Sequence, residues 1–126
     1  MKYLITSALP YANGPLHFGH LAGVYIPADV YTRHRKMQGE DAIHISGSDE
    51  HGVAIMLNAQ KDKKDYQQYV DEWHLEHKNL FENFNIHFEY FGQTSSKYHE
   101  EEVLKWFNSL HEKGMIEPRD MQQLQC

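Results

Sequence analysis

Apolar side chains dominate Tyr3 to Ile5, and the turn formers Pro10, Asn13, Gly14 and Pro15 follow at once. Residues 2–7 therefore predict a short strand that runs into a loop. From Leu16 to Met37 the apolar positions Phe18, Leu21, Ala22, Tyr25, Ile26 and Val30 recur at three- and four-residue steps, which predicts a helix stopped by Gly39. Pro27 interrupts it. A proline inside a helix removes a backbone hydrogen bond and costs roughly 3 kcal/mol, so a kink or a break into two pieces is expected there. Asp41 to Ser46 predicts a second strand with Ile43 and Ile45 on one face, again running into a polar, glycine-bracketed loop, Gly47-Ser48-Asp49-Glu50-His51-Gly52.

Val53 to Gln60 predicts a short helix and Lys64 to Phe84 a longer one, whose stripe Tyr66, Tyr69, Val70, Trp73, His77, Leu80, Phe81 and Phe84 keeps helical spacing. Such a stripe reads as core. Ile86 to Phe91 predicts a third strand. Ser95 or Ser96 then caps a helix with Glu100, Glu101 and Glu102 near its positive end, Leu104, Phe107 and Leu110 as its buried face and Gly114 as its stop. Met115 to Glu117 predicts the start of a further strand. Strand, loop, helix repeated in this order is the grammar of an α/β fold with a parallel sheet, whose ligands sit beyond the carboxyl ends of the strands. Both polar loops fall at that edge.

Composition narrows the setting. With 126 residues and 40% hydrophobic side chains, the chain is sized for one domain. Cys126 is the only cysteine, so no intrachain disulfide forms and a reducing, cytoplasmic setting is expected. Thr6, Ser7 and Pro10 break the opening apolar run too early for a signal peptide, and no apolar stretch approaches the roughly 20 residues of a membrane span. The net charge is -6; residues 1–60 carry four basic against five acidic side chains, and the remainder eight against thirteen. Nucleic-acid binding usually shows a basic stripe, because neutralising phosphates supplies most non-specific affinity. The short clusters Arg33, Arg35, Lys36 and Lys61, Lys63, Lys64 are too small for that, so any grip on RNA is expected mostly outside these residues.

The first loop and helix start read Ala8-Leu9-Pro10-Tyr11-Ala12-Asn13-Gly14-Pro15-Leu16-His17-Phe18-Gly19-His20. A helix N-terminus presents unpaired N–H groups and a positive dipole, and His17 and His20, three residues apart, lie on nearly one helix face, a combination that suits a phosphate. Gly19 leaves a flat patch of backbone where a planar base could pack. The same histidine spacing also serves a divalent metal or ordinary helix surface, and spacing alone does not separate the three readings. Asp49 is likewise either a turn residue or a ligand. His74 and His77 flank Glu76, but the H-E-x-x-H order is absent and no metal site is assigned.

The string P-Y-A-N-G-P-L-H-F-G-H resembles the "HIGH" signature of class I aminoacyl-tRNA synthetases, with Phe18 in place of the usual isoleucine or leucine. Ala8 to Gly14, and Gly47 to Gly52 about thirty residues on, look like the forms found in methionyl-tRNA synthetases. The resemblance runs along nearly the whole chain. It implies a Rossmann-like parallel sheet with flanking helices, and ATP-dependent activation of methionine followed by transfer to tRNA. It assigns His17 and His20 to the ATP phosphates as catalytic residues, Gly19 to the adenine and Asn13 to the phosphate or ribose end. Asp49 and the Leu9 carbonyl would hold the methionine ammonium, with Ala8 beside them and Tyr11 closing over the thioether. Glu50 and His51 receive no role.

The resemblance also implies what lies outside these residues. A K-M-S-K-S type loop, a zinc-bearing insertion and an anticodon-binding domain are all missing, so residues 1–126 are expected to be the N-terminal portion of the catalytic domain, inactive alone, with exposed core surface that favours self-association. ATP, with Mg2+, is expected as substrate, and zinc only in the missing insertion. Cys126 is either the first residue of a zinc knuckle or incidental. Two other readings compete: a non-catalytic nucleotide or amino-acid binding module, and a small adenylyltransferase, for which Gly47 to Gly52 has no evident use.

Overall fold

The computed structural model describes residues 1–122, so Cys126 lies outside the described residues. The chain divides into two units, Met1–Ser96 and Lys97–Cys126. In the first, β1 (Lys2–Thr6), β2 (Asp41–Ser48) and β3 (Tyr90–Gln93) form a parallel sheet in the order β1-β2-β3. The crossover from β1 to β2 contains α1 (Phe18–His20), a π-helical turn (Leu21–Tyr25) and α2 (Ile26–Met37), and that from β2 to β3 contains α3 (Val53–Lys61) and α4 (Tyr66–Asn83). This is a Rossmann-like α/β fold.

The proline behaves in an instructive way. The helical path is continuous, but the Ile26 N–H reaches back five residues to the Leu21 carbonyl, and Pro27 stands in the first turn of α2, where a missing N–H costs nothing. Leu21 and Tyr25 are buried as the apolar periodicity predicts, but beyond the turn Asp29 and Thr32 point inward, while Val30 is 59% exposed. Asp29 is satisfied there: its carboxylate accepts from Arg33 Nε at 2.5 Å and from the backbone N–H of His87 at 2.9 Å, fastening α2 to the turn after α4.

Ile43 and Ile45 share one face of β2, as the alternation predicts, and it is the opposite face that the helices cover. Ile43 is 41% exposed, and it is Ala42 and His44 that face the core. The reason is topological. Sequential parallel strands joined by crossovers of one hand place all connecting helices on one side. Tyr31 of α2 meets Tyr3, and Phe81 of α4 meets Phe91, which stands in register with Ser46; the face of Tyr3, Ala42, His44 and Phe91 is therefore the covered one. Leu4, Ile43 and Tyr90 occupy the other face and are exposed. The third strand is Tyr90–Gln93, later than the predicted 86–91, because Ile86 is taken into the core and Phe88 packs beside it.

The core has two parts. Ala12, Ile55, Ala59, Tyr69 and Val70 form one, with Tyr66 and Trp73 against it; Leu21, Tyr25, Phe81 and Ile86 form the other. The stripe of α4 is buried or half-buried except Phe84, which follows the last helical residue and is 48% exposed. Asp65 caps α4 by accepting from the N–H groups of Gln67 and Gln68. In the second unit α5 (Lys97–Glu112) follows Ser96 directly, and its end is closed by the Met115 N–H bonding to the Leu110 carbonyl. Its apolar positions Leu104, Phe107 and Leu110 are not buried, contrary to expectation, and residues 115–117 form no strand. No helix among the described residues is long and apolar enough to cross a membrane.

Candidate active site at the carboxyl ends of β1 and β2

The loops after β1 and β2 continue the pairing of their strands. The Asp49 N–H donates to the Pro10 carbonyl and the Ala12 N–H to the Asp49 carbonyl, both at 2.8 Å, so that Tyr11 and Asp49 form a parallel bridge beyond the sheet. Two segments almost forty residues apart in sequence thus become one rigid platform. Ala12 seats it, fully buried against α3 and α4. Gly52 closes it: its φ of 140° suits only glycine, and a Cβ there would fall on the Tyr11 hydroxyl.

Three further side chains hold the first loop. Tyr25, which the π turn aims back at the strand ends, donates its hydroxyl to the Ala8 carbonyl at 2.9 Å, and its burial pushes its pKa up to about 12. His77 of α4 bonds through Nε2 to the Gly14 carbonyl at 2.9 Å. Asn13 accepts through Oδ1 from Asn58 Nδ2 at 3.0 Å and from the Tyr69 hydroxyl at 3.2 Å, so that oxygen serves the loop's own structure.

At the start of α1 the imidazoles of His17 and His20 stack, with ring centroids 3.7 Å apart, and His20 Nδ1 accepts from the His17 N–H at 3.1 Å. Gly19 sits against this pair: a Cβ there would lie 3.0 Å from the His17 ring. A cleft of about 400 Å³ brings together Ala8, Leu9, Tyr11, Asn13 and His20, five of the predicted site residues. Asp49 is half-buried and bonded to the same loop without lining that cleft. Val24 and Tyr25 line it too, and the sequence reading assigned neither to the site. The only trace of them in sequence is their position one turn beyond His20.

Three other histidines, His44, His74 and His77, lie inside the fold. His44 is fully buried, with Ser7 Oγ at 2.6 Å from Nε2 and the His87 carbonyl at 3.2 Å from Nδ1, an arrangement in which Nδ1 carries the hydrogen. His74 pairs through Nδ1 with Ser48 Oγ at 2.8 Å. Burial holds the pKa of His44, His74 and His77 below the ordinary histidine value. Glu50, given no role by the sequence, is fully buried, and burial raises its carboxyl pKa despite hydrogen bonds from Ser95. Among the described residues no group of three or more His, Cys, Asp or Glu is placed to hold a metal ion.

Comparison with known proteins identifies the family and the fold. The family tRNA synthetases class I (M) matches residues 3–126. A methionine–tRNA ligase from Chlamydia pneumoniae is 52% identical over 123 residues, covering 98% of this chain and 22% of the relative, and one from Chlorobium limicola is 50% identical over 115 residues, 91% of this chain and 16% of the relative. The solved structure of Mycobacterium tuberculosis methionyl-tRNA synthetase in complex with methionyl-adenylate superposes with a TM-score of 0.85 at 25% identity, over 90% of this chain and 22% of that one. The chain thus spans about a fifth of the length of such relatives. The paired signature loops and the match along residues 3–126 place the chain in the class I tRNA synthetase family designated M.

Proposed function

We propose that the chain forms the N-terminal portion of the Rossmann-like catalytic domain of a cytoplasmic methionine–tRNA ligase, with the zinc-bearing insertion, the K-M-S-K-S type loop and the anticodon-binding domain supplied by other residues. The observation that carries this reading is the hydrogen-bonded bridge between Tyr11 and Asp49, which joins the two signature loops at the strand ends. In the first step a methionine carboxylate oxygen attacks the α-phosphorus of ATP and the bond to the bridging oxygen breaks, giving methionyl-adenylate and pyrophosphate. A hydroxyl at the tRNA 3′ end then attacks the methionyl carbonyl, loses its proton and releases AMP.

The protein's part is positioning and charge stabilisation. Asp49 and the Leu9 carbonyl hold the methionine ammonium by charge-assisted hydrogen bonds, and Ala8 and Tyr11 enclose the side chain. His17 and His20 donate to phosphate oxygens as negative charge builds on them, Gly19 lies against the adenine and Asn13 reaches the phosphate or ribose end. Mg2+, in this reading, enters with the triphosphate as part of the substrate. The tRNA is gripped mostly by other parts of the protein.

Thermal unfolding with a stable methionyl-adenylate analogue, with the leucyl analogue as control, tests this reading. At about 100 times its dissociation constant the methionyl compound should stabilise the fold by roughly 2.7 kcal/mol. The effect should vanish in Asp49→Ala. Equal shifts with both compounds, or a shift that survives Asp49→Ala, would overturn the assignment of the methionine site.

A further inference from the structure

We infer that Glu50 is the positioning residue for Asp49: it locks the second signature loop against the end of β3 and so sets the direction of the neighbouring carboxylate. The inference rests on the reading of Asp49 as the ammonium ligand. Glu50 is held at all three of its polar ends. Its N–H donates to Thr94 Oγ1 at 2.8 Å, its carbonyl accepts from the Tyr66 hydroxyl, and its carboxylate Oε2 accepts from the Ser95 N–H at 3.2 Å and from Ser95 Oγ at 2.5 Å. Ser95 Oγ in turn accepts from Gln67 Nε2 of α4 at 3.1 Å.

The flanking backbone repeats the attachment. The Thr94 N–H donates to the Ser48 carbonyl at 3.1 Å, and His51 Nε2 lies 3.1 Å from the Thr94 carbonyl. Residues 48, 50 and 51 are thereby tied to residues 94 and 95, while Asp49 between them is tied to the first loop. Glu50 itself is 0% exposed, and its second oxygen, Oε1, has no hydrogen-bond partner among the described residues, with His74 Nδ1 4.0 Å away. A carboxyl group this far from water is costly to bury and would be a poor choice for a surface turn. The hydrogen bonds from Ser95 offset part of that cost.

Amide hydrogen exchange in the chain and its variants tests this without requiring a ligand. In Glu50→Ala the amides of Asp49 and Ala12, which make the bridge between the loops, should exchange roughly tenfold faster or more, while the β2 amides of Ala42 to Ile45 keep their protection. Glu50→Gln retains an oxygen acceptor for Ser95 and should restore the slow exchange. Should Glu50→Ala fail to fold, Ser95→Ala, which removes the donor to Oε2, serves for the same comparison. Unchanged rates at Asp49 and Ala12, or equal acceleration of every amide, would overturn the inference.

Binding supplies a second readout. Glu50→Ala should weaken the methionyl-adenylate analogue while leaving ATP affinity unchanged, and Glu50→Gln should recover it. If the unmodified chain binds no analogue, the methionine site needs residues beyond these, whereas the exchange pattern still decides whether Glu50 positions the Asp49 loop.

Discussion

His77, in the middle of α4, bonds through Nε2 to the Gly14 carbonyl at 2.9 Å, joining the second crossover to the first signature loop across 63 residues of sequence. Because the partner is a carbonyl, Nε2 carries the hydrogen, and the buried Nδ1 is left without a partner. Burial disfavours the charged ring, although the bond to the Gly14 carbonyl favours it. The loop expected to meet ATP is thus anchored by a buried side chain of the second crossover.

His77→Leu keeps most of the volume and leaves the Gly14 carbonyl without its donor. A buried acceptor left unsatisfied costs about 1–3 kcal/mol, so the unfolding free energy from urea titration should fall by that much, seen as a lower midpoint at unchanged slope. A wild-type midpoint would mean that water satisfies Gly14 equally well.

Acid should destabilise the fold over a definite range. Burial lowers the folded pKa of His44, His74 and His77 below the ordinary 6.5. Above that value both states are neutral and stability is full; as the pH falls through 6.5 the unfolded chain takes up protons first, and stability drops until the folded pKa values are reached. Glu50 acts with the opposite sign, since its raised carboxyl pKa favours folding as the pH falls, but it is one group against three. Urea midpoints measured from about pH 7.5 to about pH 5 should decline, and the decline should be shallower in His77→Leu.

Gly52→Ala puts a side chain where φ is 140° and where the Tyr11 hydroxyl already stands. Strain of this kind costs about 1–3 kcal/mol. Tyr11 must also move, so affinity for a methionyl-adenylate analogue should fall further than in a variant of equal stability altered elsewhere. Calorimetric titration beside a melting curve separates the two effects.

Tyr25→Phe retains the ring contacts with Phe81 and Phe88 but removes the donor to the Ala8 carbonyl. The loss should be about 1 kcal/mol. Fluorescence-monitored urea unfolding would register it, and a loss near zero would show that Ser46 Oγ, 3.4 Å from the same carbonyl, takes over the bond.

Local patterns settle much of this protein before any coordinates are consulted. Alternating strand and helix signals establish the parallel α/β plan, turn formers locate both loops at the strand ends, and the stripe on α4 identifies a buried face, because each depends on neighbours in the chain. Tertiary structure decided the rest. Which face of β2, that of Ala42 and His44, turns inward follows from which side the crossovers cover, and Asp29 is accepted inside because Arg33 and the His87 N–H satisfy its carboxylate. The union of Tyr11 with Asp49, the hold of His77 on Gly14 and the burial of Glu50 under Ser95 join residues far apart in sequence. Hydrogen bonds of that range leave no periodicity in the sequence, because their geometry exists only once the strands have paired.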